Sequence, residues 1–315
     1  MLNRRSLLHQ SAVVATAALT ARSLTAASFA GAREFTMDLR CGSIGVKADQ
    51  MEAIRLAGKY GFESVTPNPS YLSKLNDGQR DELKAVMKSK RLGWGAAGLP
   101  VDVRVDEQAF REQLKKLPEL AAGMQRCGVT RVGTWVPPSH AELTYRKNFR
   151  RHASRYRQCA KILADHGQRF GLEYIGPKTL WASSRHAFVH TMAECKELIA
   201  AIDVKNVGFI LDSWHWYTAH ETVEDLLTLK NEDIVACDLN DAPDGIEIDE
   251  QIDNQRELPT ATGVIDVKAF LDALVKIGYD GPVRAEPFNA KLNAMDNELA
   301  VNVTSAAMKK AIAMI

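Results

Sequence analysis

The feature that most constrains the fold is an alternation, repeated eight times, of a short apolar segment and a longer amphipathic one. The apolar segments are rich in Val, Ile, Leu and Gly, and turn residues bound several of them. Continuous apolar strands are typical of a parallel sheet that is covered on both faces. The predicted strands are 36–43, 64–67, 92–99, 130–136, 172–175, 207–211, 234–239 and 282–286.

Between the strands, apolar residues at three-to-four spacing predict helices. Gly61, Gly128 and Gly278 follow three of them, where a left-handed turn can end a helix and lead into the next strand. Eight strand–helix units over about 280 residues predict a single (β/α)8 barrel, also called a TIM barrel. An open doubly wound sheet is the alternative, but no glycine-rich phosphate loop follows the first strand. The predicted helices are 48–60, 79–90, 107–127, 149–166, 192–202, 222–229, 267–277 and 297–315.

The N-terminus has the layout of an export signal. Arg4 and Arg5 precede an apolar stretch of small residues and a Ser-Phe-Ala segment that resembles a cleavage site. The paired arginines indicate the twin-arginine route. We therefore expect residues 1–30 to be a signal peptide, residues 31–315 to form the barrel, and the mature protein to be periplasmic. A disordered basic tail is the alternative interpretation.

Charge, hydropathy and cysteine spacing exclude several classes of protein. The formal net charge is +1, so the chain lacks the basic character of a nucleic-acid-binding protein. No apolar stretch of about eighteen residues follows the predicted signal, so we predict no membrane span. The five cysteines lack metal-ligand or redox spacing. We expect most of them to be small buried apolar residues and not a disulfide framework.

Acidic residues lie at four predicted strand ends, although charged residues rarely occupy buried strands without a partner. Glu173, Asp212, Asp238 and Glu286 lie at or near the ends of strands five to eight. In a barrel these ends share the rim that carries the active site. A divalent cation would offset the repulsion among four carboxylates. Such oxygen ligands favour Mg²⁺ or Mn²⁺, and a nearby histidine, His215, extends the choice to Co²⁺ or Zn²⁺.

Each acid taken alone has a structural explanation, because a strand-end Asp or Glu can cap the next helix or pair with Lys or Arg. Four acidic residues on one rim favour a functional site. His215 is predicted to contact the substrate or to support a metal ligand, and an ordinary loop histidine is the alternative. The segment 241–263 has no helical pattern and many charges, which predicts a functional loop after strand seven. A mobile acidic surface loop is the alternative there.

Side chains near these strand ends are of the types that bind sugars. Trp135 ends strand four and Trp214 follows strand six, and aromatic faces stack on sugar C–H surfaces. Arg256, in the loop after strand seven, and Lys178, after strand five, are candidates to reach a substrate oxygen or carboxylate. The structural alternatives are core packing for the tryptophans and a solvated surface for the two cations.

Four segments carry a resemblance to a known family: LEYIGP at 172–177, LDSWHW at 211–216, DLNDAP at 238–243, and GYDGP with EPF within 278–288. Together they resemble the xylose isomerase-like barrel superfamily, specifically the sugar phosphate isomerase/epimerase group, over nearly the whole mature chain. The resemblance implies metal ligands at Glu173, Asp212, Glu286 and Asp238, and the family usually has histidine at the last position. It also implies that Glu173 and Glu286 face each other across the substrate as an acid/base pair.

The predicted chemistry is proton transfer beside a carbonyl, which needs a base, an acid and stabilisation of the enediolate. A divalent metal would act as the Lewis acid. The sequence therefore predicts a metal-dependent sugar isomerase or epimerase for a ketose, inosose or keto-glycoside. With a leaving group β to the carbanion, the same site becomes a lyase or dehydratase of oxidised glycosides.

Two further alternatives belong to other classes. The first is a non-catalytic sugar-binding barrel. The second is an abasic-site endonuclease, which the positions of the histidines and the net charge argue against. The substrate, the native metal and the formation of a homo-oligomer are left open by the sequence.

Overall fold

The computed structural model describes residues 33–315, and the predicted signal peptide at 1–30 lies outside the described residues. The strands are β1 (Thr36–Leu39), β2 (Ser64–Val65), β3 (Gly93–Trp94), β4 (Ala97–Gly98), β5 (Arg131–Trp135), β6 (Ser139–His140), β7 (Arg169–Glu173), β8 (His186–Ala187), β9 (Val207–Asp212), β10 (Ile234–Leu239) and β11 (Pro282–Ala285). Nine of them form a curled parallel sheet in the order β3-β2-β1-β11-β10-β9-β7-β5-β4, and β6 pairs with β8. This is a TIM-barrel-like fold, as the alternation predicts.

Helices follow the strands along the chain. They are α1 (Gln50–Tyr60), α2 (Pro69–Leu72), α3 (Asp77–Ser89), α4 (Glu107–Leu114), α5 (Leu117–Arg126), α6 (Tyr145–Asp165), α7 (Lys178–Trp181), α8 (Met192–Ile202), α9 (Ser213–Thr218), α10 (Val223–Leu226), α11 (Val267–Ile277), α12 (Ala290–Asn293) and α13 (Asn297–Ile312). Short 3₁₀ turns occupy Cys41–Ile44, Asn231–Asp233 and Ile248–Glu250. Several one-turn helices lie in loops after strand ends, where the sequence pattern gave no helical signal.

The third predicted strand, 92–99, forms two short strands instead of one. β3 pairs with β2 and β4 pairs with β5, so the two pieces complete one position of the barrel. Gly95 lies at the interruption, where an added Cβ would lie 2.3 Å from Asp38 Oδ1. Glycine is therefore required for the close approach of this backbone to the first strand.

The predicted helix 107–127 is also divided, into α4 and α5. Pro118 lies in the first turn of α5. Proline lacks an amide hydrogen and its ring collides with the carbonyl four residues earlier, so it is tolerated at a helix start and not in a helix interior. The apolar periodicity continues through the break, which is why the pattern predicted one helix.

The barrel interior is filled by side chains that glycines on neighbouring strands accommodate. Ile210, on β9, forms a small buried cluster with Ala96 and Ala236. A Cβ added at Gly133 or Gly171 would lie 2.4 Å or 2.8 Å from side-chain atoms of Ile210. Because glycine has no side chain at these two positions, Ile210 fills the space between the strands. The barrel interior below the rim is therefore a packed core.

Two further predictions concern cysteines and membrane spans. All five cysteines are free, four of them buried and Cys41 partly buried, which confirms the expectation of no disulfide framework. None of the helices within residues 33–315 combines the length and the apolar character that a membrane span requires.

Candidate active site

The four predicted carboxylates converge at the carboxyl ends of neighbouring strands. Glu173 and Asp212 are the last residues of β7 and β9, Asp238 is next to last in β10, and Glu286 directly follows β11. Asp238 pairs in register with Asp212, which places the two at the same level of the barrel. All four side chains are buried. The rim therefore concentrates negative charge away from water, as the sequence predicts.

Two overlapping groups of ligand atoms lie close enough to share a cation. In the first group, Glu173, Asp212 and His215 each offer an atom within 4.8 Å of the others. The second group consists of Glu173, Asp238 and Glu286, with the same spacing. Glu173 belongs to both, and its Oε1 is buried with no hydrogen-bond partner among the described residues. A buried carboxylate oxygen without a donor is costly unless a proton or a cation meets it.

A buried arginine from the adjacent strand binds Asp238. Arg284, on β11, donates from Nε to Asp238 Oδ1 at 2.5 Å and from Nη2 to Oδ2 at 3.0 Å. Its Nη1 donates to the carbonyl oxygen of Ala96 at 3.3 Å. Both oxygens of Asp238 thus take part in a bidentate ion pair. The charge of Asp238 is balanced within the protein by this pair, whereas Glu173 Oε1 has no donor among the described residues.

A second buried arginine, Arg256, ties the loop after β10 to the strand ends. Its Nη1 donates to Asp212 Oδ2 and its Nη2 to Asp253 Oδ1, both at 2.7 Å. The guanidinium carbon lies 5.4 Å from the ring centroid of Trp214 and 4.8 Å from that of Phe288. Trp214 is fully buried and does not line the cavity described below. Of these two predicted substrate contacts, Arg256 therefore reaches the cavity, whereas Trp214 packs against the guanidinium of Arg256 and does not reach the cavity.

Glu286 is held from several directions. Arg40, which directly follows β1, donates from Nη1 to Glu286 Oε1 at 2.5 Å. Arg256 Nη1 lies 3.6 Å from Oε2 of the same carboxylate. The side chain of Asn240 accepts from the Glu286 amide and donates to Asp212 Oδ1, each at 2.9 Å. These contacts fix Glu286 relative to Asp212 without contacting Glu173.

His215 lies in the first turn of α9 and faces two of the acids. Its Nδ1 accepts from the Gly176 amide at 3.2 Å, and its Nε2 lies 3.9 Å from Glu173 Oε1 and 3.8 Å from Asp212 Oδ2. Burial, followed by the charge of Arg256, lowers the pKa of His215 to about 3. The ring is therefore neutral near pH 7. Arg256 Nη2 lies 3.4 Å from the same Nε2, so the ring nitrogen that faces the acids also faces a guanidinium, and its donor or acceptor role depends on the tautomer.

Burial and mutual repulsion raise the pKa values of Glu173, Asp212 and Glu286. For Glu173 burial is the largest cause, followed by the charges of Glu286, Asp238 and Asp212, and its pKa lies well above the ordinary value. Burial raises the pKa of Asp212 to about 7 although Arg256 opposes the shift. At Glu286 burial again raises the pKa, and Arg40 opposes it. The cluster therefore holds a proton or binds a cation near neutral pH.

Glu173 and Glu286 open into a cavity of about 510 Å³. Its polar lining includes Glu173, Glu286, His215 and Arg256, and the half-exposed ring of Trp135 forms one side. Lys178, another predicted substrate contact, is exposed, forms an ion pair with Asp249 at 2.7 Å, and does not line this cavity. The volume accommodates a small molecule such as a monosaccharide.

Sequence reasoning missed Arg40, Asn240, Asp253 and Arg284. Arg284 had a usable signal, since it interrupts an otherwise apolar buried strand and therefore needs an acidic partner. Arg40 lies within the first predicted strand, 36–43, and directly follows β1, at the end where barrels place functional groups. Asn240 and Asp253 carry no signal of this kind, because their roles depend on which loops fold over the rim.

Comparisons with known proteins agree with this architecture. The model of the xylose isomerase-like TIM barrel family matches residues 54–311. A solved xylose isomerase domain protein from Alicyclobacillus acidocaldarius subsp. acidocaldarius is 30% identical, with a TM-score of 0.78 over 90% of this chain and 99% of that one. An IOLI protein solved with a binding zinc atom is 19% identical, with a TM-score of 0.73 over 89% of this chain and 98% of that one, and shows the fold alone.

Among curated proteins, the chain is similar to an inosose isomerase of Bacillus subtilis (strain 168). The two are 26% identical over 144 residues, which are 46% of this chain and 49% of the relative. The chain thus spans about half the length of the curated relatives that it matches.

Proposed function

Because the chain belongs to the xylose isomerase-like TIM barrel family, we propose that it is an isomerase or epimerase of a small keto-sugar or keto-polyol. The observation that carries this proposal is the pair of buried carboxylates, Glu173 and Glu286, whose oxygens approach within 4.8 Å at one cavity. The similarity to an inosose isomerase supports the same class of reaction.

The surroundings of the two glutamates differ in a way that gives them different roles. Glu286 accepts from Arg40 and lies near Arg256, and both cations stabilise its ionised form. Glu173 has no arginine partner among the described residues, and its pKa is raised well above the ordinary value by burial and by Glu286. Glu286 is therefore the base that takes the proton from the substrate carbon, and Glu173 is the acid that returns one.

The remaining polar groups position the substrate. Nε2 of His215, beside Glu173, hydrogen bonds to the substrate carbonyl or an adjacent hydroxyl. Arg256 lines the same cavity, and the ring of Trp135 excludes water from one face of the sugar. Proton transfer then proceeds in a site where the charged groups are fixed before the substrate binds.

The residues present fit a divalent cation, because Glu173 Oε1 is buried and has no donor within the described part of the chain. Glu173 would hold the ion together with Asp212 and His215 or with Asp238 and Glu286, the two groups whose ligand atoms lie within 4.8 Å of one another. When bound, it would polarise the substrate carbonyl as a Lewis acid. The zinc atom in a protein of the same fold supports a metal of this class without fixing its identity.

Metal binding gives a prediction that does not depend on turnover. We expect the full-length protein, after treatment with a chelator, to bind Mn²⁺ in isothermal titration calorimetry. Asp212→Asn removes one anionic ligand, so it is expected to weaken binding by about tenfold or more. Asp272→Asn, at an exposed ion pair on α11, is the matched control and retains wild-type affinity. Equal affinity of the Asp212→Asn and wild-type proteins would contradict the assigned ligand.

The proposed reaction is tested by hydrogen exchange. The full-length protein is incubated in heavy water with unphosphorylated and phosphorylated keto-sugars and keto-inositols, in the presence of Mn²⁺, Mg²⁺ or Co²⁺. We expect the proton NMR signal of the carbon beside the carbonyl to disappear for at least one substrate, with formation of an isomer or epimer. Binding of these substrates without any exchange would instead identify a non-catalytic sugar-binding barrel.

A further inference from the structure

A second, smaller cavity of about 210 Å³ adjoins the acid/base pair. Arg40, Trp135 and Glu173 line both cavities, so the two are neighbouring parts of one cleft. The smaller part lies toward β4 and β5 and adds Arg104 and Arg284 to its lining. Among the described residues that line it, three are arginines and the one acid is Glu173. This part of the cleft is therefore suited to a negatively charged group.

Arg104 has free donors that are already held in position. Its Nε donates to Asp102 Oδ1 at 2.7 Å, and its guanidinium carbon lies 4.1 Å from the ring centroid of Trp135. Arg151 donates to its carbonyl oxygen, which holds the backbone at this point. Within residues 33–315, Nη1 and Nη2 of Arg104 have no hydrogen-bond acceptor. An ordered guanidinium with two unused donor groups is the arrangement that binds oxyanions.

Arg40 provides a second set of donors. Its Nη1 binds Glu286, and in the described part of the chain its Nε and Nη2 have no acceptor. The side chain is 36% exposed, so these groups can meet a ligand. Arg284 differs, because its donors bind Asp238 and the Ala96 carbonyl. Its charge is balanced by Asp238, so it lines the cavity without offering free hydrogen bonds.

We propose that the smaller cavity binds an oxyanion group of the substrate, a carboxylate or a phosphate, through Arg104 and Arg40. The substrate is then an acidic keto-sugar and not a neutral one. This inference rests on the proposed function, which identifies the remainder of the substrate as a small keto-sugar or keto-polyol. The anionic group lies beside Trp135, and the sugar carbon that reacts lies between Glu173 and Glu286.

The test compares the affinities of the full-length protein for D-glucuronate, D-glucose 6-phosphate and D-glucose by isothermal titration calorimetry. We expect at least one anionic probe to bind about tenfold more tightly than D-glucose, the gain of one charge-assisted hydrogen-bonded contact. Tighter binding of glucuronate indicates a carboxylate, and tighter binding of the phosphate ester indicates a phosphate. If neither anion binds more tightly than D-glucose, the proposal is overturned.

The Arg104→Gln variant is expected to lose this preference by about tenfold, and Arg104→Lys to keep part of it because its charge remains. Arg111→Gln, an exposed arginine on α4 outside both cavities, is the matched control and keeps the wild-type preference. An Arg104→Gln protein that still prefers the anion would also overturn the proposal. Glu173→Gln is expected to slow product formation and to keep or increase the preference, because it removes the one acid that lines the smaller cavity. The anion site and the proposed reaction therefore fail separately.

Discussion

The Glu173→Gln protein is expected to form the isomer or epimer more slowly than the wild-type protein by about 10²–10⁴-fold, the contribution typical of a general acid or base. Glutamine keeps the size and shape of the side chain but cannot donate and accept a proton in turn. The relevant measurement is the NMR-monitored rate of product formation in heavy water, with a substrate identified from the keto-sugar screen.

A second buried carboxyl provides the control for this variant. Glu221 accepts from the hydroxyl of Tyr174, and burial raises its pKa to about 7, yet it lines neither part of the cleft. Glu221→Gln is therefore expected to form product at a near-wild-type rate. If both variants form product at the wild-type rate, Glu173 is not the acid, and if both lose product formation, the effect reflects general disturbance of the rim.

The Arg284→Met protein is expected to lose about 3–5 kcal/mol of unfolding free energy in urea, the usual cost of breaking a buried ion pair from one side. Methionine fills much of the same space, so the loss reflects charge more than packing. Asp238 would remain buried and unpaired, in register with Asp212 and near Glu286. Its repulsion with those carboxylates adds to the cost of its burial.

The double variant Arg284→Met/Asp238→Leu separates charge from packing. Replacing both partners with apolar residues removes the unpaired charge, and we expect most of the lost stability to return. Lys268→Met, at an exposed pair with Asp272, is the matched surface control and is expected to change the unfolding free energy by less than about 1 kcal/mol. A double variant as unstable as Arg284→Met would show that Arg284 stabilises the barrel through packing instead of through Asp238.

The same ion pair accounts for the departure at Asp238 from the residue that the family resemblance implies. A carboxylate in place of histidine adds a buried negative charge to the rim. Arg284, one strand away and in register with Asp238, supplies the compensating positive charge. The Asp238–Arg284 pair therefore neutralises one carboxylate of the rim within the protein.

The barrel and the convergence of the acids were determined by the sequence alone. Apolar runs with amphipathic stretches between them specify strands and helices locally, and parallel strands in a barrel end on one rim. Glu173, Asp212 and Asp238, placed at the ends of their runs, therefore had to meet, whatever the details of packing. The breaks at Gly95 and Pro118 were harder to predict, because hydrophobic periodicity continues through each of them.

The partners of the charges were decided by the tertiary structure. Arg40 and Glu286 are 246 residues apart, and Arg256 and Asp212 are 44 apart, so no local pattern relates them. Trp135 and Trp214 lie in similar sequence positions after strands, yet one borders the cleft and the other is buried beneath Arg256. Periodicity reports which face of an element is apolar, whereas the pairing of ions and the access of rings to solvent depend on distances that arise only when loops close over the rim.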